Sequence, residues 1–572
     1  MKVSIYILFI FFAASAFGQI KISGLVIDNK LGEPLAFANV YTQNGDGGIT
    51  NESGKFVIEV KEIPRFISVS HVGFISQEVQ MEEDKPFYLI KLTPSTVRLS
   101  EIRVLANDKS AIDLFYQAIV NSRKLSLPIR KSKVFRRTYS TIDKGTPTEL
   151  MESYYNASMT EGGIRSFDLK NGRVGIPFKN YILQFDICKV LEHYNFYGDN
   201  KGFLPTTPLQ YRFKKRIEKD YFVRYAGTYL EGQDTIVKIN FSAKKMRQHF
   251  NGVAFINKNK NYITRVVHEI KNAANIPFET VNEGIGAEIK NMSVKWDTGF
   301  EFTEEGGAIK FMQLVLLFDY INEKKTKPLK SNTKLYFYDY GKQFDLPIFG
   351  GSEEYLNDYD KILSIPYNAE FWRRTSGLPE TGLEERFRRD LEANHLFVND
   401  DLVDGNIKLL NREYQLIHEN IRPDWGKVRK TSKKKDAYRA ASNMGADTYN
   451  CLYARTFFAA DFNCFSDTVQ FIVKAILDYD GSYMCDRVEK EAMFFIKYLQ
   501  LADLHARILQ TELSEKYKNE CPEREVVKND LDLAEKKLRK EIFTMFNGSN
   551  KRNANYLNEL ENNLSKRKET IQ

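Results

Sequence analysis

Residues 48–60 read Gly-Ile-Thr-Asn-Glu-Ser-Gly-Lys-Phe-Val-Ile-Glu-Val. Gly54 closes a polar turn, and from Lys55 the apolar residues Phe56, Ile58 and Val60 fall on alternate positions. Alternation of that kind is the pattern of a strand with one buried face. The same reading extends in both directions. Strands are expected at Ile20 to Asp28, Ala38 to Thr42, Lys55 to Val60, Phe66 to His71, Ile75 to Met81 and Phe87 to Leu92, with glycine-rich turns such as Asn44-Gly45-Asp46-Gly47-Gly48 between them. Glycine suits turns because it reaches positive φ without a steric penalty. Short strands with frequent turns predict a small antiparallel β-sandwich over residues 19–98.

The series Ile22, Gly24, Val26, Gly32, Pro34, Leu35, Ala38, Asn39, Val40, then Gly48, Thr50, Asn51, Gly54, Phe56, then Ile67, Ser70, Gly73 and Phe74 resembles the carboxypeptidase regulatory-like domain. The resemblance implies an immunoglobulin- or transthyretin-like sandwich, usually appended to other domains and itself not catalytic. The following stretch, Leu99-Ser100-Glu101-Ile102-Arg103-Val104-Leu105-Ala106, is similar to the linker after this module in Bacteroidota envelope proteins. Asn357 to Asn368 with Phe371-Trp372 is likewise similar to uncharacterised proteins carrying the module, and its aromatics read as a docking surface between domains.

Upstream, Lys2, the apolar run Val3 to Phe12 and the small residues leading to Ala16-Phe17-Gly18 predict a signal peptide over residues 1–18, cleaved before Gln19. The chain is therefore expected to be exported, to the periplasm or the outer-membrane surface. No later apolar run is long enough for a transmembrane helix; Phe311 to Phe318 is strand-length and expected in a core. The mature chain is expected to be soluble or peripherally associated with a membrane.

At 572 residues, three or four domains are expected. The helical spacing of Ile112, Leu114, Phe115, Ala118 and Ile119 places a helix at Ser110 to Leu125, within a linker and helix region of residues 99–133. Residues 134–345 return to strands. Hairpins are expected from Tyr221–Leu230 into Thr235–Phe241 and from Gly252–Ile256 into Tyr262–Ile270, followed by strands at Ile309–Asp319 and Lys334–Tyr340. The expected architecture is a larger curved antiparallel sheet or half-barrel. The second hairpin resembles those of periplasmic lipoprotein carriers, which would imply a uniformly apolar inner face. An aromatic-rich connecting region spans 346–425 and a helical domain 426–572. Its helices are placed at Phe462–Tyr479, Arg487–Tyr517, Glu523–Phe546 and Asn553–Lys568, forming a C-terminal helical bundle. The fold class is thus mainly β followed by α.

Charge and chemistry exclude more than they suggest. Bases number 83 and acids 75, for a net charge of +8. The charges are interspersed, and no nucleic-acid partner is expected. One basic cluster, Lys427, Arg429, Lys430, Lys433, Lys434 and Lys435, reads as a solvated loop. Among the five cysteines, Cys451, Cys464, Cys485 and Cys521 lie in the C-terminal region, where disulfides and buried thiols are both open. The seven histidines include none with glutamate three positions on, so a zinc carboxypeptidase site is not formed. Gly350-Gly351-Ser352-Glu353-Glu354 lacks the second glycine of a nucleophile elbow. Glu384-Glu385 runs into Arg386, Arg388 and Arg389 and reads as a solvated helix face. No catalytic, cofactor-binding or metal residue is assigned and no cofactor is expected. The expected role is a non-enzymatic envelope component whose sandwich attaches to an envelope protein, glycan or lipid. The alternative is a hydrolase of a surface glycan or peptide, whose two carboxylates would come from distant strands.

Overall fold

A computed structural model of the protein describes residues 20–95, 109–278, 288–349, 358–397, 414–430 and 452–546, short breaks aside, and Asn562. The segments expected as signal peptide, as the linker at 99–106 and, apart from Asn562, as the helix at Asn553–Lys568 lie outside these residues, as do Lys433 to Lys435, Cys451, Cys485 and Gly350 to Glu354. The chain divides into two compact units, one up to Pro94 and one from Ser95.

The first unit holds β1 (Ile20–Asp28), β2 (Asn39–Thr42), β3 (Gly47–Ile49), β4 (Lys55–Val60), β5 (Phe66–Ser70), β6 (Gln77–Gln80) and β7 (Phe87–Leu92). They form two sheets, β4-β1-β7 and β3-β2-β5-β6. Alternate residues Ile22, Val26, Phe56, Ile58, Tyr88 and Ile90 share a buried core with Val40, Ile67 and Val69. The turn that opens β4 is held by Asn51, whose Oδ1 accepts from the amides of Ser53 and Lys55 at 2.9 and 3.0 Å. Gly54 sits there at φ +72°, a conformation that side chains resist. Thr50 is buried because its hydroxyl donates to Leu35 O at 2.5 Å and accepts from the Ala38 amide at 2.9 Å.

The second unit begins with α1 (Lys109–Leu125), β8 (Arg130–Ile142), β9 (Thr146–Thr160), β10 (Gly163–Gly175), α2 (Ile187–His193) and α3 (Lys214–Asp220). Seven strands follow: β11 (Tyr221–Glu231), β12 (Asp234–Ala243), β13 (Asn251–Asn257), β14 (Tyr262–Ile270), β15 (Glu288–Thr303), β16 (Gly306–Asn322) and β17 (Lys325–Tyr338). All ten make one sheet in the order β10-β9-β8-β17-β16-β15-β14-β13-β12-β11, not closed into a barrel. The chain steps outward from β8 to β10, crosses to the far edge at β11 and returns hairpin by hairpin until β17 pairs with β8. One face is filled by the chain itself. Ile112, Phe115, Ala118 and Ile119 of α1 are buried with Val134, Trp296, Leu314 and Leu335 of the strands. That inner face is not uniformly apolar, contrary to the carrier expectation: buried His268, Thr298 and Arg136 lie in it.

Beyond β17 come β18 (Ile348–Phe349), α4 (Asp358–Ser364), α5 (Ala369–Arg374), α6 (Gly382–Ala393), β19 (Tyr414–Leu416), β20 (Arg429–Lys430), β21 (Leu452–Cys464), β22 (Val469–Met484), α7 (Glu489–Lys516) and α8 (Arg524–Phe546). The mainly β architecture with C-terminal helices matches the expected fold class. The helix expected at Phe462–Tyr479 is instead the end of β21 and most of β22. Its hairpin is apolar on both faces: Phe458, Ala460, Phe462, Val473 and Leu477 share a core with α7 and α8, while Phe457, Ala459 and Ile476 meet Phe349 and Leu416. Burial on both sides removes the period-two signal that marks a strand.

Candidate binding groove on the outer sheet face

The outer face of the ten-stranded sheet is built from the residues that alternate with the core. Across β8, β17, β16 and β15 the register sets Thr141, Lys330, Leu317 and Ser293 in one row. Tyr139, Asn332, Val315 and Lys295 make the next. Four strands at about 4.8 Å spacing give each row a length of about 14 Å. The first row, with Tyr139 and Asn332 of the second, floors a groove of about 550 Å³, within the usual range for small-ligand sites. Leu317, expected in the core as part of Phe311 to Phe318, is 48% exposed at its centre, and Leu383 of α6, 64% exposed, forms its wall. Amide contacts orient the polar lining. Asn291 Nδ2 donates to Asp319 Oδ2 at 2.9 Å, and Gln313 Nε2 donates to Asn332 Oδ1 at 3.0 Å.

The wall is fixed by buried charge. Thr381 caps α6 reciprocally with Glu384: the Thr381 amide donates to Glu384 Oε2 at 2.9 Å and the Glu384 amide donates back to Thr381 Oγ1 at 3.4 Å. Lys334 Nζ donates to the other carboxylate oxygen at 2.7 Å, and Arg137 lies 3.8 Å away. Arg137 donates from Nε to Glu152 at 2.7 Å and from Nη1 to the carbonyls of Leu378 and Pro379. Arg173 Nε reaches the second Glu152 oxygen at 2.8 Å. Farther along α6, Phe387 lies edge-on to Tyr139 at 5.9 Å, and Leu391 fills the space above Gly175, where a Cβ would come within 2.3 Å of it.

Burial alone would raise the pKa of Glu152, but Arg173 and Arg137 outweigh it and hold the carboxyl at about 2. Glu384 is likewise lowered, burial being overcome by Arg137 and Lys334. Glu384 therefore does not lie on the solvated face expected of it. Position N3 of the capped helix points it at the sheet, whereas Glu385 and Arg389 pair on the exposed side at 2.5 Å.

A second polar cluster interrupts the inner face. Arg136 is fully buried, ion-paired with Asp358, and donates from Nη1 to Cys188 Sγ at 3.3 Å. Glu149 accepts from Tyr359 and, at 2.8 Å, from Ser140. These contacts tie α2 and α4 to β8 and β9. The aromatics of the connecting region lie on the opposite face, where Phe371 and Trp372 stand edge-on to Tyr154 at 5.1 and 5.2 Å. Among the histidines, His268 is buried, held neutral by burial with its pKa at about 3, and linked to Thr207 Oγ1 at 2.7 Å. Cys464 and Cys521 form a disulfide, and Cys188 is a buried free thiol. None of the groove residues carried a sequence signal. What marks them is cross-strand adjacency, which a single strand does not reveal.

The fold and groove define a modular β-rich protein with an appended sandwich and a preformed cleft on a larger sheet. Residues 22–104 match the family model described as the CarboxypepD_reg-like domain. No curated protein matches the chain. Among solved structures, one described by its lipid–protein interactions in lipovitellin is similar at 10% identity and a TM-score of 0.16, over 44% of this chain. The alignment spans 29% of that chain, less than a third of its length, and so loose a superposition carries neither fold nor function across. Among the described residues, no helix is long and apolar enough to cross a membrane.

Proposed function

We propose that the protein is a non-enzymatic component of the cell envelope, exported by its N-terminal segment, attached through its sandwich, and holding an extended glycan in the outer-face groove. The observation that carries the reading is the row Thr141, Lys330, Leu317, Ser293 beside Tyr139 and Asn332. The Thr141 and Ser293 hydroxyls, the Asn332 amide and the Lys330 ammonium stand there with the Tyr139 ring and the aliphatic Leu317 side chain. A sugar polymer presents the same mixture of equatorial hydroxyls and apolar ring faces. The length of about 14 Å at ordinary strand spacing suits two to three sugar units rather than a single one.

The test is calorimetric titration of the full chain with neutral tri- and tetrasaccharides and with neutral tetrapeptides. Saccharide binding that Ser293→Trp weakens at least tenfold, by filling the floor, is the expected result. Binding of the peptides alone overturns the glycan assignment. Hydrolysis of the saccharide, lost on Asp319→Asn or Asp143→Asn, overturns the non-enzymatic reading in favour of a hydrolase, since these carboxylates line the groove.

A further inference from the structure

Among the described residues, three of the four sheet edges of the sandwich are protected, whereas β7 pairs along its length only with β1, its other edge being met just past the strand, where the Ile75 amide donates to Thr93 O at 2.9 Å. β3 is three residues long, β6 is short and polar (Gln77, Glu78, Val79, Gln80), and β4 places Lys55 and Glu59 outward, the latter 3.5 Å from Lys21. Short length and outward charge are the usual guards against unwanted strand pairing. β7 is as long as β4 and carries one outward charge, Lys91, near its end. It runs six residues, buries Tyr88, Ile90 and Leu92, and points Phe87 and Leu89 outward at 49% and 53% exposure. The register continues this apolar surface inward, since Leu89 lies beside Leu25 and Phe87 beside Ser23, which is paired in turn with Val57. Lys91, exposed at the end of the strand, has no ion-pair partner among the described residues.

We infer that β7 is the attachment edge of the sandwich and receives an extended segment of another protein as an added strand. This inference rests on the proposal that the sandwich attaches the chain, and names how. In strand addition, main-chain hydrogen bonds supply affinity and alternate side chains supply specificity. The alternate positions here call for apolar residues against Phe87 and Leu89 and a carboxylate against Lys91. The partner is therefore an alternating apolar segment carrying an aspartate or glutamate. A second copy of β7, paired antiparallel about Leu89, would set Phe87 beside Lys91, and β7 holds no aspartate or glutamate to offer it, so charge complementarity favours a different chain.

The experiment uses the full chain and a fluorescent heptapeptide of alternating valine and threonine with one aspartate. Controls are the same peptide with lysine in place of aspartate and one N-methylated on alternate amides. Fluorescence anisotropy is expected to show the aspartate peptide binding at least tenfold more tightly than either control. The preference should be lost in Leu89→Lys and the charge dependence alone in Lys91→Gln. Phe87→Thr, which keeps strand propensity, should weaken binding without altering the far-ultraviolet spectrum. Equal binding of the three peptides, or none, overturns the inference. So does sedimentation showing a dimer that Leu89→Lys dissolves, or binding to phosphatidylglycerol vesicles that the same variant abolishes. Saccharide binding in the groove is read in parallel on each variant. Its persistence while peptide binding fails sinks strand addition alone, and its failure in the wild-type chain sinks the groove reading alone.

Discussion

Lys334 of β17 and Glu384 of α6 lie 2.7 Å apart, both buried, and through this pair the helix that walls the groove is joined to the strand that floors it. Removing one partner of a buried pair leaves an uncompensated charge and typically costs 3–5 kcal/mol. Glu384→Ala strands both Lys334 and Arg137 and is expected to lose about that much stability in denaturant titration. Glu384→Gln keeps the cap to Thr381 and should cost less. Both should weaken groove binding more than Arg389→Ala, which cuts only the exposed pair with Glu385.

Acid should loosen the same region. The Glu152 carboxyl is held at about 2, below its ordinary 4.5, by Arg173 and Arg137 against the opposing effect of burial. A depressed carboxyl contributes stability that is complete above the unfolded-state pKa and is lost as pH falls toward the folded-state value. Stability is therefore expected to decline from about pH 4.5 down to about pH 2, with Glu384 adding in the same direction. Arg173→Met should flatten that decline, and thermal melts across the range would measure it.

The contrast between the two glutamates of α6 shows how far sequence could reach. Glu384 and Glu385 are adjacent and chemically identical, yet one is buried under an ion network and the other faces solvent. Charge runs alone do not separate them; the Thr381 cap three residues before Glu384 does. Where a strand has one solvated face, as in β1 and β7, alternation was legible and so was the sandwich. α1 was equally plain, its buried Ile112, Phe115, Ala118 and Ile119 falling at helical spacing. The β21–β22 hairpin hid its type because both faces are apolar. The groove was invisible because Leu317, Lys330 and Thr141 become neighbours only through strand register.

An opposite pH dependence is expected at Glu161, whose burial outweighs the hydroxyl donors Tyr197 and Ser122 and raises its pKa to about 8. Tyr197 Oη donates to Glu161 Oε1 at 2.6 Å. The folded state here binds the extra proton, so this group's contribution falls as pH rises from about 4.5 to about 8. Glu161→Gln, which copies the neutral acid, should remove that slope and stabilise the protein by roughly 2–4 kcal/mol at pH 9. Paired denaturant titrations at pH 5 and pH 9 check it: the variant should gain at the higher pH and be nearly neutral at the lower.

The Cys464–Cys521 disulfide joins the end of β21 to the segment just before α8, closing a separation of 57 residues. Between these points lie β22 and α7, and Phe471 of β22 meets the ring of Tyr517, the residue after α7, at 5.8 Å, so the bridge encloses the strand and the helix packed on it. Closing a loop of that size restricts the unfolded chain by about 4 kcal/mol in the chain-entropy account. A double Cys464→Ser, Cys521→Ser variant is therefore expected to melt roughly 10 °C lower than the oxidised protein. Dithiothreitol should lower the wild-type midpoint similarly and leave the variant's unchanged. Peptide mapping without reduction should recover a linked fragment containing both cysteines. Cys188, buried beside Arg136, should react with maleimide only after unfolding. A reductant-sensitive midpoint in the double variant would mean that a different pair of cysteines braces this part of the chain.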